Sequence, residues 1–177
     1  MRKITILLEK PEKPANIGVV MRNIYAFDSG RMYLQKDVEV LKKIGTACGT
    51  GTKVSIERFS EIEEFLKNTI QRKIGFIVAE HDKKNIPINL TEFKFEDNDL
   101  LVFGGEGPGL TDETKALCDK LVTIPMLGHM GCLNLAVSTG IVLYEVLRQK
   151  VEKGSITLKS LKEKKSVIEK AEWWAKN

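Results

Sequence analysis

Paired cysteines, histidines and long apolar runs are all scarce in this chain of 177 residues. No stretch reaches the roughly 18 apolar residues that a membrane span requires. The start, Met1-Arg-Lys-Ile-Thr-Ile-Leu-Leu8, has only a short apolar segment before Glu9 and reads as a strand, not a signal peptide. The 3 cysteines, Cys48, Cys118 and Cys132, include no C-x-x-C pair, which excludes a disulfide framework and a zinc knuckle. The 2 histidines, His81 and His129, stand alone, so no metal site is expected. A reduced, cytoplasmic setting is the expectation that follows.

What is present is 42% hydrophobic and 29% charged residues, enough aliphatics for one well-packed domain. The net charge of +4 is uneven. Residues 151–177 hold seven Lys and four Glu, which places +3 of it in a short tail on a nearly neutral body. Such a tail suits an anionic partner, nucleic acid first, or is a solvated amphipathic helix.

Along the chain, short apolar runs alternate with helical stretches. Strands are expected at 4–8, 31–34, 54–59, 74–78, 100–103 and 121–124, and helices at 17–27, 37–44, 61–70, 112–120 and 133–151. Ile17, Val20, Met21, Ile24 and Phe27 make one stripe, with Arg22 and Asn23 off it. The last helix of the body is apolar nearly all round and is expected to be deeply buried. The alternation predicts an α/β fold, a mostly parallel sheet with helices on both faces. Gly154-Ser155 is the expected hinge, dividing a domain at 1–151 from a basic helical tail at 152–177. Trp173 and Trp174 in that tail dock on the body or a second subunit, or stack on bases.

In such a sheet, ligands bind beyond the carboxyl ends of the strands. Three loops there have unusual composition. Pro11 to Gly18 has two prolines and one glycine, so it lacks the G-x-G-x-x-G of a dinucleotide site. Asn16 in it is placed as a helix N-cap, and Arg22, six residues on, is a surface arginine or a phosphate clamp. Phe103-Gly-Gly-Glu-Gly-Pro-Gly-Leu110 carries four glycines around Glu106, more than a tight turn needs, without the Lys-Ser/Thr ending of a nucleoside triphosphate loop. Ile124 to Asn134 is largely uncharged and leads into the last helix of the body. Cys132 within it is a nucleophile with His129 as its base, or an inert thiol. The loop at 45–52 reads as a connector that touches substrate without chemistry of its own.

Together the loops resemble the three motifs of the SpoU/TrmH family of SPOUT RNA methyltransferases. Asn16-Ile-Gly-Val-Val-Met-Arg22 resembles the first, Phe103 to Leu110 the second, and Ile124-Pro-Met126 with Cys132-Leu-Asn134 the third. Cys132 stands where the family usually has Ser. The resemblance implies a C-terminal trefoil knot and S-adenosylmethionine held bent among loops 76–80, 104–109 and 124–134. The matching cofactor contacts are Val78, Gly104, Ile124 and Leu133, with Met126 and Cys132 close by. It also implies a homodimer, no metal, and a structured RNA (tRNA or rRNA) methylated on a ribose 2′-hydroxyl, with Arg22 as the catalytic arginine. Glu106, Asn16 and Asn134 are expected to orient Arg22, the loop and the ribose. Methylation of a base nitrogen, or RNA binding without catalysis, are the alternatives. With the first strand starting by Ile4, no separate RNA-binding domain is expected ahead of it. Grip on RNA then falls to the dimer surface and to Lys159, Lys162, Lys164, Lys165 and Lys170.

Overall fold

The computed structural model describes residues 4–38, 53–78 and 84–156. Seven strands form one sheet: β1 (Thr5–Leu8), β2 (Arg31–Gln35), β3 (Ser55–Phe59), β4 (Arg72–Phe76), β5 (Ile88–Asn89), β6 (Asp99–Phe103) and β7 (Lys120–Thr123). Among the described residues four helices accompany them: α1 (Pro14–Ala26), α2 (Ile62–Asn68), α3 (Asp112–Leu117) and α4 (Leu135–Glu152). The strand order is β3-β2-β1-β6-β4-β7-β5, and every pairing is parallel.

The sheet is covered on both faces because its side chains alternate. Ile6, Leu8, Met32, Leu34, Ile74, Phe76, Leu101, Phe103 and Val122 point to one side, where Ile17, Val20 and Ile24 of α1 and Val142, Leu143 and Val146 of α4 cover them. Leu7, Leu100 and Val102 point to the other, against Leu66 of α2 and Leu117 beside it on α3. Every residue of β6 is buried, and its run from Leu100 to Phe103 is continuously apolar, as a parallel strand covered on both faces demands. At the amino ends of the strands the fully buried Asp99 takes two 2.7 Å bonds from the Arg72 guanidinium, pinning β4 to β6.

Register levels the other ends. Leu8 pairs with Phe103, Phe103 with Phe76, and Phe76 with Val122. The loops after β1, β6 and β7 therefore leave the sheet side by side. The Phe76 and Phe103 rings stack at 4.5 Å beneath them.

Several expectations need correction. The first helix begins at Pro14, not Ile17. Asn16 is thus inside its first turn rather than capping it; Lys13 holds the cap position with no side-chain bond. Proline at the first helical position costs nothing there, because that N–H has no helical partner anyway. Strand β5 was not expected: it is two residues long, too short to show a period, and exists by pairing with the edge of β7. Helix α3 ends at Leu117. Helix α4 is not buried all round: Val137, Ile141 and Tyr144 are 50%, 38% and 60% exposed along one stripe. Its end closes at Gly154, where φ is +69°. Gly154 N–H donates to the Val151 carbonyl and Ser155 N–H to that of Lys150, both at 3.0 Å, the Schellman pattern that stops a helix. The helix expected at 37–44, apart from Asp37 and Val38, lies outside the described residues, as do the 45–52 connector, loop positions 79–80 and the tail from 157.

Candidate active site

The site begins with a carboxylate in a glycine loop. Glu106 Oε2 accepts the Glu12 N–H at 2.8 Å, and Oε1 accepts the Lys13 N–H at 3.3 Å and the Asn16 Nδ2 at 2.7 Å. Helix α1 has no acidic residue in its first turn and no cap of its own. Glu106, from a loop far along the chain, supplies the anion that this helix start lacks. Burial alone would raise the Glu106 pKa. The bonds from Glu12 N–H, the Asn16 amide, its own N–H and Lys13 N–H outweigh that, and hold the carboxyl below its ordinary value.

The chain of bonds continues through Asn16. Its Oδ1 accepts from Asn134 Nδ2 at 3.1 Å. Asn134 is the N-cap of α4, with Oδ1 accepting the Ala136 and Val137 N–H groups at 2.8 and 3.4 Å. These bonds give every amide one orientation. The helix fixes the Asn134 oxygen, its nitrogen must then donate to Asn16, and the Asn16 nitrogen to Glu106. The three loops are thus joined in one directional series. Seven residues after Asn16, on the same face of α1, Asn23 Nδ2 donates to the Ala136 carbonyl at 2.9 Å and to Thr139 Oγ1 at 3.3 Å. Helix α1 is therefore fastened to the start of α4 at two levels.

Arg22 precedes Asn23 and is exposed. Its Cα lies about 9 Å along the helix axis from that of Asn16, and no hydrogen bond joins it to the Glu106–Asn16–Asn134 series. Among the described residues its guanidinium has no partner, so it is available to an anion from outside.

Below the series is a cavity of about 370 Å³. Val78, Gly104, Ile124, Met126, Cys132 and Leu133 all line it, as does Glu106; Asn16, Asn134 and Arg22 do not. Sequence reasoning did not single out Thr123, Lys115 or Ser138, which also line it. Thr123 carried a signal in being a polar residue at the end of an apolar strand; the two on helices carried none. Gly104 is required by packing: a Cβ there would lie 2.0 Å from the Gly109 carbonyl carbon and 2.2 Å from the Leu110 nitrogen. Gly109 takes φ +68°, which lets the loop turn back, its N–H bonding the Gly105 carbonyl at 3.2 Å. Cys132 and His129 are both exposed, with no bond between them, so no nucleophile and base pair forms. Cys118, by contrast, packs with the cluster on the α2 and α3 face of the sheet, where burial first and Asp119 second push its thiol up to about 12.

The cavity's size is that of a small-molecule site, for which about 300 Å³ is the lower bound. Aliphatic side chains and glycine backbone make up most of its wall, with few charged groups, which suits a ligand carrying a flat base and a polar sugar. S-adenosylmethionine fits that description.

Comparison with known proteins agrees with the geometry. The chain is 28% identical over 153 residues to the 23S rRNA (guanosine-2'-O-)-methyltransferase RlmB of Haemophilus influenzae, covering 84% of this chain and 61% of that one. It therefore spans about three-fifths of that relative's length. A solved structure concerned with the 2-OH methylation of C/U34 on tRNA superposes with a TM-score of 0.71 at 28% identity, covering 84% of this chain and 97% of the other. AviRb of Streptomyces viridochromogenes, solved with AdoMet, shares the fold with a TM-score of 0.72 at 23% identity, over 85% of this chain and 58% of its own. Residues 3–144 match the SpoU rRNA Methylase family, and the chain belongs to that family.

Proposed function

We propose that this protein is an S-adenosylmethionine-dependent RNA methyltransferase acting on a ribose 2′-hydroxyl in tRNA or rRNA. The observation that carries the reading is the hydrogen-bonded series Glu106–Asn16–Asn134, which draws three distant loops around one cavity. The relatives named for 2′-O-methylation of rRNA and of tRNA support the same reaction.

When bound, S-adenosylmethionine supplies an electrophilic methyl group on its sulfonium. Val78, Ile124, Met126 and Leu133 form the wall that holds it, and Gly104 and Cys132 complete the rim. The acceptor hydroxyl is a weak nucleophile and must shed its proton as it attacks. The planar guanidinium of Arg22 is a fork of donors with no acceptor; it holds the neighbouring RNA phosphate, whose oxygen takes the hydroxyl proton. The Asn16–Asn134 and Asn23–Ala136 bonds fix α1 on α4, and so fix the start point of the Arg22 side chain.

The exposed stripe of Val137, Ile141 and Tyr144 on α4 is the face for a second copy of the chain, giving a homodimer. The Lys-rich tail adds non-specific grip on phosphates. Among the described residues no helix is long and apolar enough to cross a membrane, and an RNA substrate fits a cytoplasmic location.

The test is transfer from methyl-labelled S-adenosylmethionine to total RNA, followed by digestion to nucleosides. A labelled 2′-O-methylnucleoside is expected, and its loss in Arg22→Ala with cofactor affinity retained. Label on a base would move the reaction to a ring nitrogen. No transfer, and no heat on mixing with cofactor, would leave an RNA-binding protein without catalysis. Val137→Asp is expected to give monomers in sedimentation; an unchanged dimer removes that stripe from the interface.

A further inference from the structure

Thr123 ends β7 and is only 6% exposed. Its carbonyl accepts the Leu90 N–H at 2.9 Å. Its hydroxyl has no partner among the described residues, and Thr123 is not one of those with further unspecified contacts. Yet no described side-chain oxygen sealed from solvent goes unpaired. The Thr123 oxygen must therefore keep a small accessible surface, and the open space bordered by Thr123 is the cavity.

Packing alone does not ask for a hydroxyl in this place. Nearly all buried polar side chains find a hydrogen-bond partner, and valine would fill the same envelope with no polar atom to satisfy. The lining to which it belongs is mostly apolar, Ile77, Leu110 and Ile124 included, and also holds Glu106, Lys115 and Ser138. A mostly apolar wall that bears an unpaired hydroxyl matches a heteroaromatic ring, whose faces want aliphatic contact and whose edge wants one directed bond. The amino-acid end of the cofactor, with two charges, would be poorly served by the aliphatic part of that lining.

We infer that the Thr123 hydroxyl is a cofactor-binding group that hydrogen-bonds the edge of the adenine ring of S-adenosylmethionine. This rests on the cofactor reading given above. The group has no partner among the described residues and acquires one from the ligand.

That predicts an unusual pair of effects. Thr123→Val removes no bond within the protein, so the ligand-free melting temperature stays level or rises. Affinity for S-adenosylhomocysteine, measured by calorimetry, falls about tenfold, the worth of one directed bond. Thr123→Ser restores it. A fall of the same size is expected for 5′-methylthioadenosine, which keeps the base and lacks the amino-acid end. Should Thr123→Val fold poorly, Thr123→Ala compared with Thr123→Ser isolates the hydroxyl in the same way. Unchanged affinity in a folded hydroxyl-free variant overturns the inference and leaves the cofactor reading intact. A loss seen with S-adenosylhomocysteine but not with 5′-methylthioadenosine also overturns it, assigning the hydroxyl to the other end. Failure of the wild-type protein to bind S-adenosylhomocysteine brings down both.

Discussion

Asn134 does two things with one amide, and two substitutions separate them. Its oxygen caps α4 through the N–H groups of Ala136 and Val137; its nitrogen bridges to Asn16. Asn134→Ala removes both. A lost cap costs about 1 kcal/mol. The bridge is solvent-accessible and neutral, so it contributes at the low end for a hydrogen bond, about 0.5 kcal/mol. The alanine variant is thus expected to lose about 1.5 kcal/mol, with the two parts close enough to couple. Asn134→Asp keeps a capping oxygen and adds a charge that favours the helix start. It cannot donate to Asn16, and leaves two acceptors facing each other. Its stability is expected to lie within about 0.5 kcal/mol of wild type, while methyl transfer falls as far as in the alanine variant. Urea unfolding at neutral pH followed by circular dichroism reads the first quantity, and labelled transfer to RNA the second. Equal destabilisation of the two variants would show that the cap contributes nothing. Full transfer by the aspartate variant would show that the bridge has no part in the reaction.

Three further outcomes follow from the same geometry. Glu106 has a folded pKa below its ordinary value, so its contribution to stability is complete above the usual carboxylate range and is lost as pH falls through that lowered pKa; Glu106→Gln should flatten the acid limb of urea midpoint against pH, and an unchanged slope would contradict this. Gly104→Ala forces a Cβ to 2.0 Å from backbone and should cost at least about 2 kcal/mol, whereas at Gly107 the nearest atom is Glu12 Oε1 at 3.4 Å and alanine should be tolerated; thermal melts of both check the contrast. In a Cys48→Ser background at pH 8, mass spectrometry after brief alkylation should find Cys132 modified and Cys118 untouched, since the first is exposed and burial pushes the second up to about 12; fast labelling of Cys118 would refute its placement.

The site was more legible in the sequence than the helices that carry it. Four glycines around Glu106 and an asparagine at the head of an apolar helix are local compositions that a plain turn or a plain helix end does not need; the structure sets the first along the cavity and joins the second to it through Asn16. The bond from Asn16 to Glu106 was not legible in the local pattern, where an asparagine near a helix start reads as a cap; only the family resemblance gave Asn16 an orienting role. Only the pairing of β1 with β6 brings Glu106 within its reach. The exposure of α4 was hidden for a different reason: apolar residues all round a helix cannot distinguish a face turned to the sheet from one left for another chain. Thr123 offers only a faint signal, one polar residue at the end of an apolar strand, with no spacing to a second residue to mark it as a site.

The adjacency of β1 and β6, which pairs Thr5 with Leu100 at the middle of the sheet, also shapes how the chain must come together. On the ribosome, β1, β2 and β3 emerge early and are sequence neighbours that can associate as a half-sheet. Their inner border, Thr5–Leu8, waits for residues 99–103, which at ordinary synthesis rates arrive on the order of ten seconds later. Until then an apolar strand edge stands open to other nascent chains. Long-range parallel pairing of this kind also makes refolding slow. Strand β6 is the seam at which two separately made halves close, and dilution during refolding should protect this protein more than added time.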